Sequence, residues 1–295
     1  MPSTLFTAPA HWHWLVIVYF FVGGLAGGSY FLAALVDFFG RPADRPLARI
    51  GYYIALPATV VSGILLILDL SKPLRFWHML VQSETWRPML KYWSPMSLGS
   101  WALLIFGAFT LLAFLAALAE AGRLRSPLLR RLRPPALPGT IVAVVGGILG
   151  FFVAGYTGVL LAVTNRPIWS DTNLLGLVFL VSAASTSAAL LVLLARGRPW
   201  AGHGVVALER FDSWMLVLEL LALVALVVSL GSLARLWLNV WGVLLLATAL
   251  IGIVLPLVMY WRTRALALET AVASVLVLAG GFLLRVIIVM SSETL

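Results

Sequence analysis

Cysteine is absent from the 295 residues. That excludes intrachain disulfides, and it excludes an iron–sulfur cluster held in the ordinary way by thiolates of this chain. Charge is scarce as well: 11% of residues are Asp, Glu, Lys or Arg, against about 25% in a soluble domain. There are four histidines, His11, His13, His78 and His203, and all fall in termini, loops or interfacial positions. A membrane b-type haem needs axial ligands at matched depth on facing helices, so neither haem nor a metal is expected on this chain. No GxxxxGK[ST] loop, catalytic-serine elbow or HExxH motif is present, which removes the corresponding nucleotide, acyl-transfer and zinc chemistries. No basic region precedes the first apolar run, so a cleavable signal peptide is not expected.

What is abundant is hydrocarbon. Hydrophobic residues make up 62% of the chain and fall in runs of roughly 20, the length that crosses about 30 Å of lipid. The pattern predicts an all-α membrane protein with eight transmembrane helices, near 14–37, 47–70, 94–119, 138–163, 172–195, 211–230, 236–259 and 266–290. The whole of 1–295 is expected to be one integral membrane domain. Three helices lie in 1–119, a basic loop occupies 120–137, and five helices lie in 138–295. Six Lys and Arg fall in loops on the side of the termini and thirteen on the other side, with Arg285 inside the last helix. Cytoplasmic loops carry the excess of Lys and Arg, so the basic loop should be cytoplasmic and both termini extracytoplasmic. The net charge of +9 is then a topology signal, and no nucleic-acid partner is expected.

Several side chains stand out against this background. Small residues four apart, Gly23/Gly27 and Gly24/Gly28 in the first helix and Gly146, Gly150, Ala154 and Gly158 in the fourth, fit close helix packing. Tyr156 lies off that stripe, about two turns from the helix end, where a hydroxyl can hydrogen-bond a buried ligand or reach the headgroups. Asp69 ends the second helix; it either pairs with Lys72 or serves a function. Glu219 is an intramembrane carboxylate and is read either as a proton relay or as a local hydrogen-bonded acid. Arg285 has a depth resembling that of Asp69, and the two are expected to be close. The Ser/Thr-rich stretch 182–189 is expected to bond neighbouring helices. His11 and His13 are read as interfacial or as ligands. Residues 71–93 form an aromatic and basic surface on the side of the termini, and Ser94 with Pro95 opens the third helix.

These motifs together resemble the NrfD/PsrC family, the quinone-binding membrane subunits of molybdopterin and iron–sulfur oxidoreductases. The resemblance rests on WHW followed by GGLAGGSYF (12–31), DLSKPLRFWHML (69–80), SPMSLGSW (94–101), GYTGVLLAVTNRPIW (155–169) and GGFLLRVIIV (280–289). It implies two four-helix bundles and a menaquinone or ubiquinone site near the outer surface. It also implies an iron–sulfur, ferredoxin-like subunit docked there, and a catalytic, molybdopterin subunit beyond it. Family members place Asn and His just after the WHW; here Val16 and Tyr19 stand at those positions, and of the two only Tyr19 can donate a hydrogen bond.

The resulting expectation is a quinone-linked membrane anchor subunit in the cell membrane. The quinone-binding candidates are Tyr156, Asp69, Tyr19, His13 and Arg166. Proton transfer falls to Asp69, His78, Glu219 and Arg285. Partner docking falls to Lys72, Arg75, Trp77, Arg87, Lys91 and Asn165. The alternatives are a secondary transporter, which an inverted repeat with unwound helices at mid-membrane would favour, and an anchor without a quinone site.

Overall fold

The computed structural model describes Trp12, residues 14–261 and residues 267–293. Among these no strand is present, only an isolated bridge between Val81 and Pro88. The helices are α1 (Trp14–Phe39), α2 (Arg45–Asp69), α3 (Pro95–Glu120), the short α4 (Pro127–Arg130), α5 (Leu137–Ala162), α6 (Leu175–Ala195), α7 (Gly202–Leu230), α8 (Val240–Thr248), α9 (Leu255–Trp261) and α10 (Ala267–Glu293). Among the described residues eight spans are long and apolar enough to cross a membrane. The start of α1 and the end of α10 therefore share one side, called here the terminal side.

Local chemistry explains most boundaries. Ser94 caps α3, its Oγ accepting from the Ser97 N–H at 3.4 Å, and Pro95 takes the first helical position, where the missing N–H costs nothing. The expected helix at 211–230 begins nine residues earlier, at Gly202. Its first two turns, GHGVVALER, are amphipathic; a search for unbroken apolar runs stops at Glu209 and Arg210, whereas the backbone continues as helix. The seventh span is α8 and α9 joined by a π-helical stretch, Ala249–Val254, just before Pro256, which has no N–H to give to an α-helical ladder.

Close packing follows the small residues. A Cβ built on Gly27 would stand 2.2 Å from the Gly150 carbonyl oxygen, and one on Gly158 2.2 Å from that of Leu175. Gly146 leaves room for the Tyr30 ring, whose hydroxyl donates to the Val142 carbonyl at 2.8 Å. The stripe thus seats α5 against α1 and α6. In lipid, where apolar side chains gain nothing by leaving the solvent, such backbone approach drives association. Helix contacts run from α2 and α3 through α1 and α5 to α6, and from α6 to α7 and α10; the expected division into two bundles remains an expectation.

On the side opposite the termini, the basic loop folds inward. Arg133 is buried and gives two hydrogen bonds to Asp37, at 2.7 and 2.8 Å, and a third to Glu120 at 3.1 Å. Tyr52 donates to the same Asp37 at 2.9 Å and lies under the guanidinium. One of the thirteen arginines assigned to the loops is therefore a buried clamp joining the loop to α1 and α3.

Candidate functional site

On the terminal side, three side chains occupy comparable depths. Tyr19 is five residues into α1, Ser62 seven from the end of α2, and Tyr156 six from the end of α5. At 1.5 Å per residue they lie about 7–11 Å below the helix ends. The Tyr19 ring and Ser62 Oγ both border Gly23, within 3.3 and 3.6 Å of where a Cβ would stand. Tyr156 and Tyr19 are electrostatic neighbours. Tyr156 is 7% exposed, and its hydroxyl donates to the Pro95 carbonyl at 2.5 Å. Its ring fills the space left by Gly99, and a Cβ there would come within 2.3 Å of the Tyr156 hydroxyl oxygen. Ser62 Oγ is buried with no partner among the described residues, and Tyr19 makes no hydrogen bond to them. Buried polar atoms are normally paired, so this is a place where a ligand's polar atoms can be received.

The remaining candidates are spread around it. Asp69 is the last residue of α2 and exposed. His78 is half-buried, its ring edge-on to Trp77 at 3.9 Å. Lys72, Arg75, Arg87, Lys91 and Asn165 are exposed, and Trp77 stacks on Trp86 at 5.6 Å. Arg166 is buried at the end of α10, where it donates to the Ser292 carbonyl at 3.3 Å. Trp169 Nε1 caps the Ile288 carbonyl at 2.9 Å, and Ser292 donates to the Pro167 carbonyl at 2.7 Å. The loop after α5 thus satisfies carbonyls that the end of a helix leaves free. His13 lies outside the described residues.

Arg285 corrects one expectation. It is not paired with Asp69. Fully buried, it donates to the carbonyls of Phe20 at 3.2 Å, Phe179 at 3.4 Å and Gly281 at 2.6 Å, and to Ser182 Oγ at 3.1 Å. It ties α1, α6 and α10 together. The acid that faces it is Glu219, whose other polar neighbour is Ser182. The depths do not match: Asp69 is the last residue of α2, whereas Arg285 is eight residues inside the end of α10, about 12 Å along the axis. Glu219 also sits deeper than expected. With α7 beginning at Gly202, it is 17 residues in, about 26 Å along the axis.

The earlier start of α7 brings Glu209 into the helix, one turn before Asp212, which falls inside the expected 211–230 span; neither is among the expected site residues. Glu209, Asp212 and Glu219 are spaced i, i+3, i+10 and lie on one helix face. Glu209 neighbours Thr270 and Arg196. Asp212 is fully buried; Ser185 donates to its Oδ1 at 2.6 Å, while Oδ2 has no partner among the described residues. The Tyr260 hydroxyl is near this carboxylate and 3.4 Å from Ser274 Oγ. The Ser/Thr-rich stretch of α6 does bond its neighbours: Ser185 bonds an acid, Ser182 an arginine, and Ser187 the Leu25 carbonyl of α1 at 3.5 Å. The spacing from Glu209 to Glu219 was the signal that could have revealed the column. Among the described residues no group of three or more His, Asp or Glu stands together as a metal site would require.

An eight-span helical membrane protein, with buried hydroxyls near its terminal side and a column of acids along one helix, is the class that the fold defines. A family model described as polysulphide reductase, NrfD, matches residues 4–295. The chain belongs to the NrfD family. It is similar to the C-chain of polysulfide reductase from Wolinella succinogenes, 29% identical over 96% of this chain and 94% of that one. It is also similar to the C-subunit of selenate reductase from Mesobacillus selenatarsenatis, 25% identical over 38% of this chain and 24% of that one.

Proposed function

We propose that this chain is the quinone-binding membrane anchor subunit of a multi-subunit reductase. In this reading it exchanges electrons between a membrane quinone, menaquinone or ubiquinone, and an extracytoplasmic iron–sulfur subunit. The complex is completed by a catalytic, molybdopterin subunit, and both termini face outward in the cell membrane. Family membership supports the assignment to a reductase complex. The observation that carries the site is the group of Tyr19, Ser62 and Tyr156, two of whose three hydroxyls lack partners among the described residues at one depth. The oxygens of a quinone or quinol suit these hydroxyls as hydrogen-bond partners. Asp69 and His78, nearer the surface, exchange protons with the solvent. Lys72, Arg75, Trp77, Arg87, Lys91 and Asn165 form the docking face.

Coupled proton transfer is the second part of the reading. Its support is the column from Glu209 through Asp212 to Glu219, which ends at Arg285. The Arg285 guanidinium reaches the Phe20 carbonyl, one residue from Tyr19.

Tyr156→Phe in the assembled complex tests the site. Quinol-linked turnover and quinone-site inhibitor affinity should both fall while the subunits still copurify. If both are unchanged, Tyr156 is not a quinone contact.

A further inference from the structure

The terminal-side hairpin and the Tyr156 hydroxyl are parts of one connected unit. Residues 80–89 fold back on themselves, with Met89 N–H bonded to the Leu80 carbonyl at 2.8 Å and Gln82 N–H to that of Arg87 at 3.0 Å. Trp86 stands near the tip, 72% exposed, with φ +55°, its ring stacked on Trp77 at 7°. A bulky residue holds such a backbone only where its surroundings over-determine it. The hairpin is fastened to α3 in two places. Trp101 Nε1 donates to the Met89 carbonyl at 3.1 Å, and the Lys91 N–H donates to Ser97 Oγ at 3.0 Å. In the same first turn of α3, the Pro95 carbonyl holds the Tyr156 hydroxyl, and Gly99 makes room for its ring.

A tyrosine hydroxyl has one proton to give. Here it goes to Pro95, so a quinone carbonyl cannot receive it in the same state. We propose that the first turn of α3 is a latch on Tyr156, with Ser97 and Gly99 as its positioning residues. Docking of a partner on the hairpin shifts this turn and releases the hydroxyl towards the bound quinone. The inference rests on the quinone-contact reading of Tyr156. The hairpin face also identifies the chemistry of the partner. Trp86 is an exposed aromatic anchor, and in the same 71–93 segment Lys72, Arg75, Arg87 and Lys91, with the lone acid Glu84, are in no ion pair within the described residues. Tryptophan and arginine dominate the centres of protein interfaces. Four cations in one short loop also run against the depletion of Lys and Arg outside the membrane. The surface fits a protein subunit with acidic groups around an apolar recess.

The test is a titration with a fluorescent hydroxyquinoline N-oxide quinol analogue. It compares the full chain in lipid nanodiscs with the assembled complex. The complex should bind the analogue about tenfold more tightly, the worth of roughly one hydrogen bond. Ser97→Ala should leave the affinity of the lone chain unchanged and abolish the gain on assembly. Trp101→Phe, which removes the second tie, should lose part of the gain and reads the same link if Ser97→Ala fails to assemble. Gly99→Ala displaces the far end of a flexible ring and should weaken binding in both forms. Equal affinity with and without the partner, while Tyr156→Phe still weakens binding, overturns the latch and leaves the quinone contact standing. Binding that ignores Tyr156→Phe removes the quinone contact itself, and the latch with it.

Discussion

Ser185 donates its hydroxyl to Asp212 at 2.6 Å, and the other oxygen of that buried carboxylate has no partner among the described residues. Asp37 is also buried but accepts two bonds from Arg133 and one from Tyr52. Two acids of the same kind are thus in opposite states. Both oxygens of Asp37 accept from the Arg133 guanidinium, and one also accepts from Tyr52. Asp212 retains a site where a proton can reside. An intramembrane acid without a compensating cation is expensive to keep, and such groups mark functional sites more often than structural ones.

Asp212→Asn should therefore separate function from fold. The amide keeps the shape and can still accept from Ser185. Stability should change by no more than about 1 kcal/mol, the range of typical substitutions. Proton uptake coupled to quinone turnover in vesicles should fall by about a hundredfold, the scale of a positioned acid–base group. An unchanged rate and proton-to-electron ratio would remove Asp212 from any proton path.

Arg133→Met should be costly. Removing one member of a buried pair leaves an uncompensated charge and costs roughly 3–5 kcal/mol. Thermal unfolding in detergent should register a large drop. Adding Asp37→Asn should restore part of it, because one of the stranded charges is then gone. A single variant that melts like the wild type would show the clamp to be dispensable.

Gly27→Val should destabilise the packing of α1 on α5 by about 1–3 kcal/mol or more. The new side chain meets the Gly150 backbone oxygen, which no rotamer change can move aside. Gly63→Ala is the control: nothing stands within 4 Å of its added carbon, and alanine suits a helix better by up to about 1 kcal/mol. Equal thermal midpoints for the two variants would contradict the close approach.

Arg87→Glu combined with Lys91→Glu should weaken association with the partner subunits without altering the melting of the lone chain. Wild-type association should also weaken between low and physiological salt, as screened charges do. Association indifferent to both changes would place the partner on another face.

The parts of this architecture readable in order along the chain were those written in local periodicity. The small-residue stripe of α5 meets α1 and α6 as its spacing demands, and Ser94 with Pro95 begins α3. The parts that were misread turned on which faces meet. Asp69 ends its helix at the surface, whereas Arg285 lies eight residues inside the end of α10 among the carbonyls of α1 and α6. Glu209 fell outside the expected span because a charge ends an apolar run without ending a helix, and the burial of Asp212, inside that span, depends on the helices packed around it. Arg133 was counted with the loop cations, though its neighbours bury it.

By itself the sequence determined the number of spans, the class and the family, because hydrocarbon thickness sets helix length and unsatisfied backbone cannot face lipid. Only the tertiary structure decided the partners of the buried polar groups. It gave Arg285 three carbonyls and left Asp212 one open oxygen. It placed the Tyr156 proton on Pro95. Those outcomes depend on the rotation of each helix about its own axis, which packing between helices fixes and composition along one helix does not.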